Sequence, residues 1–342
     1  MRANHELKLH FINVNHGDAT IIEFPDYGNP RAHFAVVDFG AKLGEDRSLT
    51  KDYMKALVDF RQDNDSDFDY LIDFICVTHP HSDHYGGLSR FLDEFADPGT
   101  AGKNKIRNFW DCGFWTTSIK YNRALDRIRE NVNLTFTRVA AGSEFEFGDT
   151  RITVLAPSVD LRNRFDTFGI DMNNASIVLK IKYRNSYIML AGDAEFASWG
   201  KVTEEFPRIK RINFIQDALG LSERDERVEQ LGCNLLRISH HGSKHGTSLE
   251  YLEHINPSYV VISAGSQNWY VNNASDWQGY FPHPLVLDTL NVLNPQINPY
   301  LTGRDGNLIF KYGGDWSPRH IASFSQRPGG ADFMNALSQS WA

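Results

Sequence analysis

Apolar and polar residues alternate along Leu7-Lys8-Leu9-His10-Phe11-Ile12-Asn13-Val14, the period-two pattern of a strand with two unlike faces. Asn15-His16-Gly17-Asp18 reads as a turn and Ala19 to Phe24 as a second strand, so the pair predicts a hairpin. His33 to Phe39 is a third strand, residues 48–61 read as a helix, and Ile72 to Val77 is a short apolar strand. Leu88, Phe91, Leu92 and Phe95 recur at i, i+3, i+4 and i+7, which predicts a helix over His84 to Phe95, closed by Pro98-Gly99. Strands over 105–112 and 133–139 flank a charged helix over 118–131. Further strands are predicted at Arg151 to Leu155, Ser176 to Tyr183, Tyr187 to Ala191, Leu235 to Ser239, Ser258 to Ser263 and Gly306 to Lys311. Helices are expected in the charge-rich stretch 195–230, over 247–254 and over 285–293. Hairpins come first and strand–helix–strand units follow, the order of a layered α/β fold. No linker divides residues 1–313. Residues 314–342 carry Pro318, Pro328-Gly329-Gly330 and little periodicity, and are expected to form a tail that packs on the domain or on a protein partner.

Composition narrows the class. The 342 residues are 41% apolar and 13% aromatic, enough for a large core. Lys and Arg number 35 against 43 Asp and Glu, a formal charge of −8. Such a chain does not coat nucleic acid by bulk attraction, so a polyanionic substrate must be held by local positive charge or by metal. No run of about 18 apolar residues is present, and the start lacks the apolar stretch of a signal peptide. Cys76, Cys112 and Cys233 are odd in number and far apart, as expected of buried thiols in a reducing cytoplasm.

The chemistry is concentrated in Thr78-His79-Pro80-His81-Ser82-Asp83-His84-Tyr85-Gly86-Gly87, directly after a strand. Three imidazoles and a carboxylate within six positions suit a divalent cation. The bland reading is a polar loop whose histidines cap the next helix. Three other segments fit the same site. Gly192-Asp193 ends an apolar strand, His240-His241 follows another, and Asp38 follows a third, where it is suited to fix the tautomer of a ligand imidazole. His240 and His241 are neighbours at a strand end, where side chains alternate, so they are expected to take different roles.

These ordered motifs resemble the metallo-β-lactamase superfamily over roughly residues 5–313. The resemblance implies a four-layer αββα sandwich with a two-metal site at one sheet edge. It implies His79 and His81 on the first metal, Asp83, His84 and His241 on the second, and Asp193 bridging them. Many members place a histidine before the Gly-Asp strand. Here the region reads Asp171-Met172-Asn173-Asn174-Ala175-Ser176, which leaves the first metal with fewer protein ligands or with Asn173 or Asn174 beside it. Gly17-Asp18-Ala19, Asn174-Ala175-Ser176, Gly192-Asp193-Ala194-Glu195, His240-His241-Gly242-Ser243-Lys244 and His283-Pro284 are similar to the hydrolase domain of ComEC-type competence proteins and to phosphorylcholine esterases, which implies phosphodiester substrates.

The expected function is a metal-dependent phosphodiesterase or nuclease that uses a metal-bound hydroxide, with two divalent ions, zinc first and manganese second. Asp193 orients the nucleophile, and His240 stabilises developing charge or protonates the leaving oxygen. His283, stiffened by Pro282 and Pro284, is either presented to substrate or a surface histidine in a rigid turn. Asp18 and His16 are placed around the site, with a plain turn role open for Asp18. Ser243 and Lys244 are candidates for a phosphate oxygen, with a solvated lysine as the alternative. The aromatic stretch Gln267-Asn268-Trp269-Tyr270 with Trp277, Tyr280 and Phe281 is read as loop packing before substrate stacking, and Ser222 to Arg227 as a solvated charged face. The other functional classes are hydrolysis of a lactone, amide or thioester, and a non-catalytic binding module that retains the fold.

Overall fold

Several strands of this chain, Leu7–Phe11, Thr20–Phe24, Val178–Tyr183 and Asn307–Tyr312 among them, are buried at nearly every position, and a strand buried on both faces needs cover on both sides. The computed structural model supplies it. It describes residues 5–25, 31–41, 48–96, 104–162, 171–206, 231–265, 281–313, 319–324 and 331–341. Strands β1 (Leu7–Phe11), β2 (Thr20–Phe24), β3 (Arg31–Val37), β4 (Asp69–Val77), β5 (Ile106–Asp111), β6 (Thr135–Arg138), β14 (Asn307–Tyr312) and β15 (Arg319–Phe324) form one sheet, in the order β15-β14-β1-β2-β3-β4-β5-β6. Strands β7 (Glu144–Phe147), β8 (Thr150–Ala156), β9 (Val178–Tyr183), β10 (Ser186–Leu190), β11 (Leu235–Arg237), β12 (Tyr259–Ile262) and β13 (Tyr300–Leu301) form the other, in the order β13-β12-β11-β10-β9-β8-β7. Both are mixed sheets: β3 to β6 run parallel, as do β10 to β13, and the hairpins are antiparallel.

The inner faces meet in a core that draws Leu9, Phe11, Phe74, Cys76 and Trp110 from the first sheet and Val154, Leu179, Ile181 and Leu190 from the second. Phe74 stacks on Trp110 with ring centroids 3.7 Å apart and planes 7° from parallel, and Phe147 of the second sheet reaches both rings. The outer face of the first sheet is covered by the helices Leu49–Asn64, Leu88–Phe95, Ile119–Glu130 and Ala331–Trp341. The outer face of the second is covered by Phe196–Glu205, Leu249–Ile255 and Pro284–Leu293. The layers are therefore αββα, with apolar helix stripes on both sides.

Local signals explain several boundaries. Ser48 and Ser118 cap their helices by accepting from the amides of Lys51 and Tyr121. The helix expected over His84 to Phe95 is in fact two, Ser82–Tyr85 and Leu88–Phe95, separated by Gly86-Gly87. The break exists because the Gly87 amide donates to the Phe39 carbonyl at 2.7 Å, and a Cβ at Gly87 would lie 2.6 Å from Ser48 Oγ. Beyond residue 313, β15 pairs antiparallel with β14, and the final helix buries Phe333, Ala336 and Leu337 in the domain's own core. The charged face at 222–227 and the aromatic positions 267–280 lie outside the described residues. No described helix is long and apolar enough to cross a membrane. All three cysteines are buried and none is in a disulfide, and burial raises the thiol of Cys233 to about 12.

Candidate metal centre

Register places the chemistry. Thr20 pairs with Val37, Val37 with Cys76, and Cys76 with Trp110, so the residues just outside β2, β3 and β4 share one edge. In the second sheet Leu190 pairs with Arg237 and Arg237 with Val261, so the loops after β10, β11 and β12 share an edge too. Ligand sites of parallel sheets lie outside the carboxyl ends of strands. Loops from the two sheets meet there.

Close backbone approach ties them. The Asp18 amide donates to the Asp83 carbonyl at 3.2 Å and the Gly40 amide to the Asp18 carbonyl at 2.7 Å. Gly17 has φ +128°, and a Cβ there would overlap the Asp83 carbonyl oxygen. Glycine is required by both the angle and the space.

Asp193 is the focus. Its Oδ2 lies 3.2 Å from His84 Nε2, 3.4 Å from His241 Nε2, and 3.9 Å from both His79 Nε2 and His240 Nε2. His81 Nδ1 is 2.9 Å from His79 Nε2. Asp83 Oδ2 is 3.2 Å from His241 Nε2 and 3.7 Å from His16 Nε2. One ligand atom each from Asp18, His84, Asp193 and His241 fits within 4.8 Å, and a second group joins His16, Asp83 and His241.

The outer nitrogens of two imidazoles are already engaged. His84 Nδ1 donates to Asp38 Oδ2 at 2.8 Å, and His241 Nδ1 donates to the Ser263 carbonyl at 2.7 Å. Each bond favours the tautomer that turns an unprotonated Nε2 toward Asp193, the arrangement that metal-binding histidines use. Asp38 is itself held by the Thr78 amide at 2.7 Å and the Thr78 hydroxyl at 2.8 Å, and it sits at φ 62°. The sequence singles out Asp38 for such a role, and the geometry is that of a carboxylate orienting a ring.

The donors fit a divalent cation. Asp193 Oδ1 and Asp18 Oδ1 are buried without a hydrogen bond to any described residue, a costly state unless an ion satisfies them. Burial, reinforced by His84, lowers the His79 imidazole well below its usual range, and burial with His241 brings His16 down to about 4. Both are therefore neutral, the form that binds metal. Burial alone would lower His84 too, but Asp193, Asp38 and Asp83 outweigh it and raise that imidazole well above its usual range. A cation must displace that proton.

Adjacent histidines do not alternate as a strand would place them. Ser239–Gly242 form a 3₁₀ turn in which His240 (φ 47°, ψ 51°) and His241 (φ 53°, ψ 20°) are both left-handed. Two successive left-handed residues bring both Nε2 atoms to the same carboxylate. Their outer nitrogens differ: His240 Nδ1 lies 2.9 Å from Glu195 Oε1. Phe281 packs over His16, His240 and His241, with ring centroids 5.2, 5.6 and 5.9 Å away, and roofs the cluster.

Other predicted residues sit differently. His283 caps the helix Pro284–Leu293, its Nδ1 accepting from the Leu285 amide at 3.2 Å. Ser243 Oγ accepts from the His245 amide, and Lys244 is exposed. Asn174 Oδ1 accepts from the Ser198 amide at 2.9 Å, whereas Asn173 Nδ2 donates to Glu195 at 3.1 Å. Two residues escape sequence reasoning. Arg237 is buried and forms an ion pair with Asp18, donates to the Gly192 carbonyl at 2.5 Å, and lies 3.8 Å from Asp193 Oδ1. Its signal is a lone charge in the apolar run Leu235-Leu236-Arg237-Ile238. The other is Glu195, which follows Gly192-Asp193-Ala194 and reads as an ordinary helix start.

A family model of the metallo-beta-lactamase superfamily matches residues 71–207, which hold His79, His81, Asp83, His84 and Asp193. That stretch is a metallo-beta-lactamase superfamily domain, and the αββα layers around it are consistent with the match. The chain is 24% identical over 257 residues to ComE operon protein 3 of Bacillus subtilis (strain 168), an overlap of 75% of this chain and 26% of that protein. The chain thus spans about a quarter of that relative's length. Among solved structures it overlaps unliganded yeast PDE1 with a TM-score of 0.47 and 11% identity, covering 90% of this chain and 99% of that one. It overlaps the metallo-beta-lactamase fold protein YhfI of Bacillus subtilis with a TM-score of 0.44 and 8% identity, covering 86% and 96%.

Proposed function

We propose that the chain is a metal-dependent hydrolase of phosphodiesters that holds two divalent cations, zinc first and manganese second. His79, His81, Asp83, His84, Asp193 and His241 are the proposed ligands. The observation that carries this reading is the convergence of the His79, His84, His240 and His241 Nε2 atoms on one buried oxygen, Asp193 Oδ2. A carboxylate ringed by imidazoles is the donor set of a two-cation site. The cations supply Lewis acidity and lower the pKa of bound water toward roughly 7.

The chain's own residues do the rest. Asp193 and the tautomer-fixed His84 and His241 hold the donors in place. Burial alone would lower His240, but the Glu195 hydrogen bond and the charge of Asp193 raise it, so it keeps a proton to higher pH. That proton goes to the leaving oxygen of the ester. Phe281 limits water from its side, and the exposed Lys244, three residues past His241, supplies a positive charge for a phosphate oxygen. The choice of phosphodiesters is supported by the motifs that resemble competence-type hydrolase domains and phosphorylcholine esterases.

The test is hydrolysis of bis(p-nitrophenyl) phosphate beside a panel of β-lactam, lactone and thioester substrates. Chelation should abolish phosphodiester turnover, and zinc or manganese should restore it. Turnover that survives unchanged in His81→Ala and Asp193→Ala would overturn metal dependence. Turnover of a lactone or thioester with no phosphodiester activity would overturn the substrate class.

A further inference from the structure

We propose that Glu195 is a positioning residue, freed from helix capping by Asn174 and braced by Asn173, that fixes the ring of His240 so that Nε2 faces the reaction site. Glu195 occupies the N-cap position of the helix Phe196–Glu205, yet its side chain makes no cap bond. Asn174 does that work, accepting from the Ser198 amide at 2.9 Å. The Glu195 carboxylate turns instead toward His240, with Oε1 2.9 Å from Nδ1, and the same oxygen accepts from Asn173 Nδ2 at 3.1 Å.

A carboxylate only accepts, so the ring nitrogen facing it carries a proton. The opposite nitrogen, Nε2, then points to Asp193 Oδ2, 3.9 Å away. His240 lies on a left-handed turn and its ring is partly exposed, with Phe281 over it, and a ring flip about χ2 would exchange its two nitrogens in much the same space. Glu195 closes that freedom. It also gives the two neighbouring histidines different anchors, since His241 is locked by a backbone carbonyl and His240 by a carboxylate. The Asn173-Asn174 pair, which stands where many superfamily members place a ligand histidine, thus serves the ring of His240 indirectly.

The catalytic part of this inference rests on the hydrolase reading; the orientation of the ring does not. The test therefore has two arms on Glu195→Ala, Glu195→Gln and Asn173→Ala. In the first, two-bond ¹⁵N–¹H correlation spectra at alkaline pH, with His240→Gln to assign the ring, should show His240 protonated at Nδ1 in the wild type. Glu195→Ala should give a mixture of tautomers, and Glu195→Gln, which still offers an acceptor oxygen, should restore most of the Nδ1–H form. In the second arm, kcat for bis(p-nitrophenyl) phosphate should fall by about 10–100-fold in Glu195→Ala, with KM and bound zinc unchanged. An unchanged ring spectrum in Glu195→Ala overturns the proposal. Loss of zinc together with kcat also overturns it, by making Glu195 a support of the metal ligands. A protein with no phosphodiesterase activity still answers through the spectra.

Discussion

Asp38 Oδ2 lies 2.8 Å from His84 Nδ1, and the opposite nitrogen of that ring lies 3.2 Å from Asp193, so one imidazole is strung between two carboxylates. Removing the outer one leaves the ring free to rotate. Asp38→Ala should weaken metal binding by about 10–100-fold. Competition against a chromophoric chelator measures it, and wild-type affinity in the variant would refute the orienting role.

His84 must give up a proton when its Nε2 accepts a cation, because Asp193, Asp38 and Asp83 outweigh burial and hold the metal-free ring protonated. Loading zinc into metal-free protein in weakly buffered solution should therefore release protons, and affinity should fall as pH is lowered. A pH indicator during titration reads the release. Binding that neither releases protons nor depends on pH would contradict the assignment of His84 as ligand.

Arg237 is buried against Asp18, and deleting one partner of a buried pair strands the other. Arg237→Met should cost about 3–5 kcal/mol of folding stability. Urea unfolding of the metal-free protein measures this without interference from bound ions. A loss below about 1 kcal/mol, the scale of an exposed ion pair, would mean that the pair is not structurally important.

A second buried ionic group lies in the first sheet, where Glu23 forms an ion pair with Arg61 and lies 3.6 Å from Lys8. Burial alone would raise the Glu23 carboxyl, yet Arg61 and Lys8 hold it far below the usual carboxylate range. The folded state then binds the proton more weakly than the unfolded chain. The stabilisation is complete above about pH 4.3, the unperturbed value, and is lost as pH falls below it. Urea midpoints of wild type should drop through that window more steeply than those of Glu23→Gln; equal slopes would exclude Glu23 as the cause.

Gly17→Ala tests the backbone that joins two ligand loops. Its φ of +128° and the overlap of a Cβ with the Asp83 carbonyl oxygen predict a loss of about 1–3 kcal/mol and displacement of Asp83. Thermal melts of metal-free and zinc-loaded protein should show the zinc-induced stabilisation shrinking in the variant. A variant that gains as much from zinc as the wild type would place Asp83 outside the ligand set.

How far the sequence can be read depends on where its physical signals are local. Strands β1, β4, β9 and β10 are legible because alternation or a continuous apolar run marks them, and Leu88 to Phe95 because its stripe has helical spacing. β13, of two residues, is too short for any period. β7, Glu-Phe-Glu-Phe, alternates over only four residues with partly buried aromatics, too short a signal to stand out. β15 exists because β14 offers it an edge. The break at Gly86-Gly87 exists because Phe39, from another loop, accepts the Gly87 amide and leaves no space for a side chain.

The sequence by itself determined the donor inventory: imidazoles and carboxylates sit just after apolar strands, and that placement alone sends them to one edge of a layered fold. What only tertiary structure decided is which atom of each donor faces which neighbour. Asp18 meets Arg237, His240 meets Glu195, and both neighbouring histidines turn to Asp193 rather than apart. Those pairings join residues up to 219 positions apart, from Asp18 to Arg237. No periodicity spans such a distance; register between strands and the close passage of loops set it.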